Sequence, residues 1–172
     1  MEVTLQRGVG AKAEIRTVTV AGERCVVKDF SGGSLLVRRV LGPWLLRREE
    51  RAYRALAGCD FVPKLVRGSD GASIVLEYRA GERLTRSLRG SLPATFSADL
   101  EAAVTKMHAC GVVHLDLRHR SNVLVDGEGR PVILDFASAI TDRNGRSGWL
   151  GRILRFVDRR AVRKWQRKFD GA

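Results

Sequence analysis

The spacing of apolar positions changes several times along the chain, and each change predicts an element. Residues 17–30, TVTVAGERCVVKDF, form two β-rich runs around Ala-Gly-Glu-Arg, the signature of a hairpin. Residues 43–57, PWLLRREERAYRALA, place Leu45, Leu46, Ala52, Tyr53 and Leu56 at the spacing of an amphipathic helix, and Gly58 follows as a stop. Residues 61–68 and 73–78 read as further strands. The polar, glycine-containing stretch 78–92 reads as a hinge between two lobes. Helical spacing returns at 97–110, with Ser97 as N-cap and Gly111 as the stop. Short apolar strands at 123–125 and 132–134 flank the turn DGEGRP, and residues 149–169 carry Leu150, Ile153, Leu154, Val157, Val162, Trp165 and Phe169 at near-helical intervals.

With 172 residues, 44% of them hydrophobic, the chain can build one compact domain or two small lobes, which excludes a disordered protein. The balance of 31 basic to 19 acidic residues gives a net charge of +12 and predicts an anionic partner: nucleotide, nucleic acid, phosphorylated glycan or an acidic membrane face. More than half of that excess lies in 151–168, which has eight basic residues and one acidic. Three readings of this tail stay open: a helix packed by its apolar stripe with solvated charges, a basic helix lying on an anionic membrane, or an RNA-phosphate contact. Cys25, Cys59 and Cys110 show no CxxC spacing and leave one thiol over in any pairing, which fits a reducing compartment. Cys25 and Cys59 read as small core residues. The opening MEVTLQRGVG has no long apolar run, so the expected location is cytoplasmic, with peripheral contact at the inner membrane face following only from the second reading of the basic tail.

The stretch VVHLDLRHRSNVLVDGEGRPVILDF sets Asp116, Asn122 and Asp135 at the ends of short apolar strands, so these groups are expected to project into a cleft. A carboxylate beside a hydroxyl can accept its proton, while a second carboxylate and a carboxamide oxygen supply hard ligands for magnesium. That division of labour suits phosphoryl transfer.

MHACGVVHLDL followed by NVLVD and ILDF resembles the catalytic loop and metal-binding segment of the protein kinase-like superfamily. The resemblance implies an α+β, two-lobed fold: a small antiparallel sheet with one helix over residues 1–80, and a reduced, mostly helical lobe over 81–172. It implies ATP and Mg2+ as cofactors, Asp116 as catalytic base, Asn122 and Asp135 as metal ligands, and His114 as a brace for the loop. Lys28 in CVVKDF resembles the strand lysine that holds the nucleotide phosphates, with a glutamate partner on the following helix. Of the two glutamates there, Glu49 shares the apolar face and Glu50 points among arginines, which favours Glu49. RGVGAKAE lies where a phosphate-covering loop belongs, with Gly8 and Gly10 letting backbone amides approach. Glu77 and Tyr78 lie where adenine is received, through carbonyl and amide contacts.

The chain also departs from the pattern. Asn122 stands six residues after Asp116, one more than usual, so the loop must bulge and Ser121 competes for the metal position. Leu115 replaces a common arginine and Ala137 a common glycine, which argues against control by loop phosphorylation. Arg118 stands where a lysine often meets the transferred phosphate. The stretch after Asp135 is short, as in the RIO and lipopolysaccharide-core-sugar (Kdo/heptose) kinase branches. The acceptor remains open between such a sugar and a protein serine. A pseudokinase or nucleotide-binding scaffold is the competing expectation, followed by a basic RNA-binding module, which explains the charge but not the aspartates. His108 reads as a packed or capping histidine and His119 as an exposed loop residue.

Overall fold

The computed structural model describes residues 3–6, 12–88, 90–142 and 149–169. The predicted hairpin forms β2 (Glu14–Val20) and β3 (Glu23–Asp29), and β1 (Val3–Gln6) pairs with β2. Its turn is tighter than the sequence suggested: Ala21 and Gly22 both take positive φ, so Val20 pairs directly with Glu23, and Glu23 and Arg24 belong to the strand.

A helical segment opens before the expected start. Val37–Leu41 winds as a π-turn that runs into α1 (Gly42–Ala55). Gly42 makes this junction possible, because a Cβ there would lie 2.8 Å from the Phe30 Cβ and 2.9 Å from the Val37 carbonyl oxygen. Helix α1 buries Leu46, Glu49, Ala52 and Tyr53 on one side. β4 (Leu65–Arg67) and β5 (Ser73–Glu77) complete an antiparallel five-stranded sheet in the order β1-β2-β3-β5-β4.

The expected hinge is partly structured. β6 (Glu82–Arg83) pairs with the strand that follows the Asp116 loop, and Leu84 is fully buried, with its amide donating to the Val123 carbonyl. Helix α2 (Phe96–Ala109) begins at Phe96 rather than after a Ser97 cap, because the buried Phe96 ring draws the start forward; no side-chain cap bond forms at Thr95. After it come β7 (Val112–Val113), β8 (Val123–Val125), β9 (Pro131–Ile133) and β10 (Ile140–Thr141), with β8 joining β6 and β9 in one sheet and β7 pairing with β10. Helix α3 (Trp149–Phe169) packs on α2 through Ala161, Val162 and Trp165, while Arg159, Arg160, Arg163 and Lys164 stay exposed. Among the described residues no helix is long and apolar enough to cross a membrane. The whole is a mixed α and β fold with one small antiparallel sheet against α1 and a reduced helical part beneath it.

Replacing Gly42 with Ala should displace the start of α1 from Phe30 and lower stability by about 1–3 kcal/mol, read as a lower urea midpoint at unchanged slope.

Candidate active site

A cleft of about 500 Å³ opens between the five-stranded sheet and the β8–β9 segment. Its walls are apolar where Ile15, Val26, Leu76, Leu124 and Leu134 line it, and Lys28, Asn122 and Asp135 supply the charge and hydrogen-bonding groups. Strand geometry explains the mixture. Val26 lies two residues before Lys28 on β3, so the two face the same way, and Asn122 at the entry to β8 lines the cleft together with Leu124 on that strand.

Lys28 Nζ donates to Glu49 Oε1 at 2.6 Å and to Asp135 Oδ1 at 2.9 Å. Burial opposes the lysine charge, but the two carboxylates outweigh it and hold its pKa above the ordinary value. Burial raises the Glu49 pKa against the pull of Lys28. Asp135 goes the other way, because Lys28 keeps its carboxyl below the usual range despite partial burial. Glu50 takes no part: it accepts from Arg54 at 2.7 Å and from the Ser69 amide at 3.1 Å.

The Asp116 loop is held from below. Asp158, fully buried on α3, accepts from the His114 amide at 2.8 Å and the Leu115 amide at 2.8 Å, and lies 3.0 Å from His108 Nε2. Leu115 sits at φ 68°, a left-handed conformation unfavourable for a leucine, and the Asp158 bond to its amide helps to fix it. Two helical turns on, Trp165 Nε1 donates to the Leu117 carbonyl at 3.0 Å. The His114 ring is neutral in this arrangement: Nε2 donates to the Leu134 carbonyl at 2.9 Å, and Nδ1 accepts from the Asp116 amide at 3.2 Å. Burial pushes its pKa below the ordinary value.

The extra loop residue is absorbed by a short 3-10 turn, Arg120–Asn122. Asn122 is buried, and its Nδ2 donates to the Asp116 carbonyl at 2.9 Å and to Asp116 Oδ2 at 3.0 Å. Its Oδ1 accepts from the Ser121 hydroxyl at 3.0 Å, while Ser121 itself is exposed. The Asp116 side chain is part exposed, with His119 Nε2 4.0 Å from its Oδ1, and Arg118 is exposed in the same loop.

A second set of contacts ties α1 to the residues after Asp135. The Tyr53 ring meets Phe136 edge-on at 5.0 Å, and Phe136 meets the His114 ring at 4.8 Å. Arg48 donates to the Ser138 carbonyl at 2.8 Å and to that of Ala139 at 3.0 Å. Asp135 takes a left-handed backbone at φ 63° where this segment leaves β9.

Glu77 and Tyr78 both line the cleft, but of the two kinds of backbone contact expected there the amides are taken, donating to the carbonyls of Lys64 (2.9 Å) and Arg24 (3.0 Å). Gly8 and Gly10 lie outside the described residues. Sequence reasoning missed Asp158, Tyr53 and Arg48 as organising groups. Asp158 carried a signal, since it is the one acid in a basic helix and shares a face with Leu154, Ala161, Val162 and Trp165.

The donor set suits magnesium in one respect. Among the described residues no three His, Cys, Asp or Glu side chains converge into a metal site. Magnesium is commonly held by one or two protein oxygens, completed by water and substrate phosphate, and the Asp135 carboxylate with the Asn122 amide oxygen fits that pattern.

No family model matches the chain, and neither does any curated protein. Solved structures do. The crystal structure of the Rio2 kinase from Chaetomium thermophilum aligns with a TM-score of 0.70 at 21% identity, covering 95% of this chain and 56% of that one. The Rio2 kinase-ADP/Mg2+-phosphoaspartate complex from the same organism aligns with a TM-score of 0.68 at 20% identity, covering 98% and 56% respectively. The chain therefore has a protein kinase-like fold and spans little more than half the length of these neighbours.

Two measurements test the site. Asp158→Ala leaves the His114 and Leu115 amides without acceptors in a buried place, so unfolding by urea should show a loss of about 3 kcal/mol or more. His114 binds a proton less readily folded than unfolded, so its contribution is complete above its ordinary pKa of 6.5 and declines as pH falls below it. Stability measured downward from neutral pH should fall in that window, and His114→Phe should flatten that limb.

Proposed function

We propose that this protein is an ATP-dependent phosphotransferase acting on a hydroxyl acceptor. The observation that carries the reading is the Lys28 ammonium bonded to both Glu49 and Asp135 in a cleft with apolar walls, which Asn122 also lines while bonded to the Asp116 carboxylate. Ile15, Val26 and Leu124 form a slot of the kind that takes a flat purine. Lys28 binds the nucleotide phosphates, and Glu49 keeps the ammonium aimed at them. Asp135 and Asn122 hold Mg2+, which when bound neutralises phosphate charge.

Asp116 orients the acceptor hydroxyl for in-line attack and receives its proton, with its second oxygen fixed by the Asn122 amide. Arg118, exposed at the same loop, offsets charge on the transferred group. A lipopolysaccharide core sugar and a protein serine are the acceptor classes to test first. One of the two Rio2 neighbours is a complex with ADP and Mg2+, which supports the choice of nucleotide and metal.

The test is Mg2+-dependent consumption of γ-labelled ATP by purified protein, with nucleotide binding measured in parallel. Asp116→Ala should still bind ATP and lose about 10²–10⁴-fold in turnover, while Lys28→Met should weaken nucleotide binding itself. Wild-type protein that binds ATP tightly yet turns over with neither acceptor class would point to a scaffold instead. Normal turnover in Arg118→Ala would remove that residue from the mechanism.

A further inference from the structure

The helical run that enters α1 has two faces, and the outer one is unusual for a surface in water. Val37 and Leu46 turn inward and are buried. On the outside Leu35 is 64% exposed, Leu36 69%, Val40 59% and Trp44 51%, the largest concentration of exposed apolar side chains in one element pair among the described residues. Arginines 38, 39 and 47 lie exposed among them. Residues 30–48 contain no acid. The two acids that follow are unavailable to a partner, since Glu49 is buried against Lys28 and Glu50 is bonded to Arg54 and the Ser69 amide.

We propose that this face, Leu35 to Arg47, is a docking surface for an anionic lipid bilayer. Three features select that occupant. Exposed apolar and cationic residues are interspersed along this short run, Leu35, Leu36, Arg38, Arg39, Val40, Trp44 and Arg47, so apolar side chains can enter the acyl boundary while guanidinium groups stay at headgroup level. Trp44 is of the type that settles at that interface, and Arg48 stacks on its ring at 4.5 Å while also bonded to the carbonyls of Ser138 and Ala139, so the tryptophan is presented from a fixed base. The lack of any free acid on the face gives it charge complementarity to phosphate-bearing lipid. The exposed side of α3 is a separate surface: Arg159, Arg160, Arg163 and Lys164 lie on it, with only Ile153 and Phe156 exposed as large apolar side chains among its described residues, and the helix packs on the core through Ala161, Val162 and Trp165. The proposal is independent of catalysis.

Sedimentation of the full chain with vesicles of phosphatidylcholine, with and without phosphatidylglycerol, tests it, with no nucleotide present. Binding should require phosphatidylglycerol and weaken with salt. Arg38→Gln/Arg39→Gln should weaken it roughly thirtyfold, and Leu36→Ser/Val40→Ser/Trp44→Ser should abolish it. Arg159→Gln/Arg163→Gln should leave it unchanged. The substituted side chains are exposed, and thermal unfolding confirms that each variant is folded. The proposal is overturned by absence of binding, by equal binding to phosphatidylcholine alone, by full binding in the triple serine variant, or by loss of binding only in the α3 variant. It is also overturned if the triple variant changes the protein from dimer to monomer while the wild type ignores vesicles, or if the face binds single-stranded RNA and not lipid.

Discussion

A buried ammonium group has to be paired, and the arrangement of the upper half of this molecule follows from that requirement. Lys28 projects from the middle of a sheet into a cleft with apolar walls, where its charge is tolerable only because two carboxylates meet it. One comes from α1 and the other from the segment after β9, elements far apart in sequence. The lysine therefore fixes the distance between the sheet, the helix and the lower part of the chain. Gly42 lets α1 approach Phe30 closely, Arg48 clamps the helix to the Ser138 and Ala139 carbonyls, and the Tyr53, Phe136 and His114 rings fill the space behind. These contacts hold Glu49 where the ammonium needs it.

The lower half solves a related problem with a different buried acid. The loop that carries Asp116 must keep its own backbone amides satisfied without a strand partner. Asp158 does this for two consecutive amides from the adjacent α3, and Trp165 supplies a donor for a carbonyl two residues on. The tail helix is thus part of the floor of the site, and its excess of basic charge is carried on the opposite, exposed side.

Much of this was legible in the chain. The period-2 runs located the hairpin, the helical stripe located α1 within a residue of its start, and choosing Glu49 over Glu50 needed only the angle between neighbouring side chains. What was not legible depended on partners distant in sequence. The π-turn at Val37–Leu41 follows from packing on Phe30, and the engagement of the Glu77 and Tyr78 amides follows from which strands flank β5. Asp158 shows the boundary between the two: its place on an apolar helical face could be read from spacing, but the amides it serves lie more than forty residues away. The loop bulge could be inferred from spacing, while the bond from the Ser121 hydroxyl to Asn122 and the bonds from Asn122 to Asp116 could not.

The two carboxylates around Lys28 are not equivalent, and the difference bears on how such a site admits a charged ligand. Glu49 has 2% of its side chain exposed and Asp135 has 48%. Moving Lys28 away from Glu49 would strand a carboxylate in an apolar place, at high cost. Moving it away from Asp135 returns that carboxylate to a water-accessible cleft, where hydration or a cation can replace the ammonium. An anion entering the cleft would therefore compete for Lys28 with Asp135 rather than with Glu49. Asp135 and Asn122 both line that cleft, so under the proposed reading a carboxylate released in this way would be the oxygen available to a cation accompanying the anion.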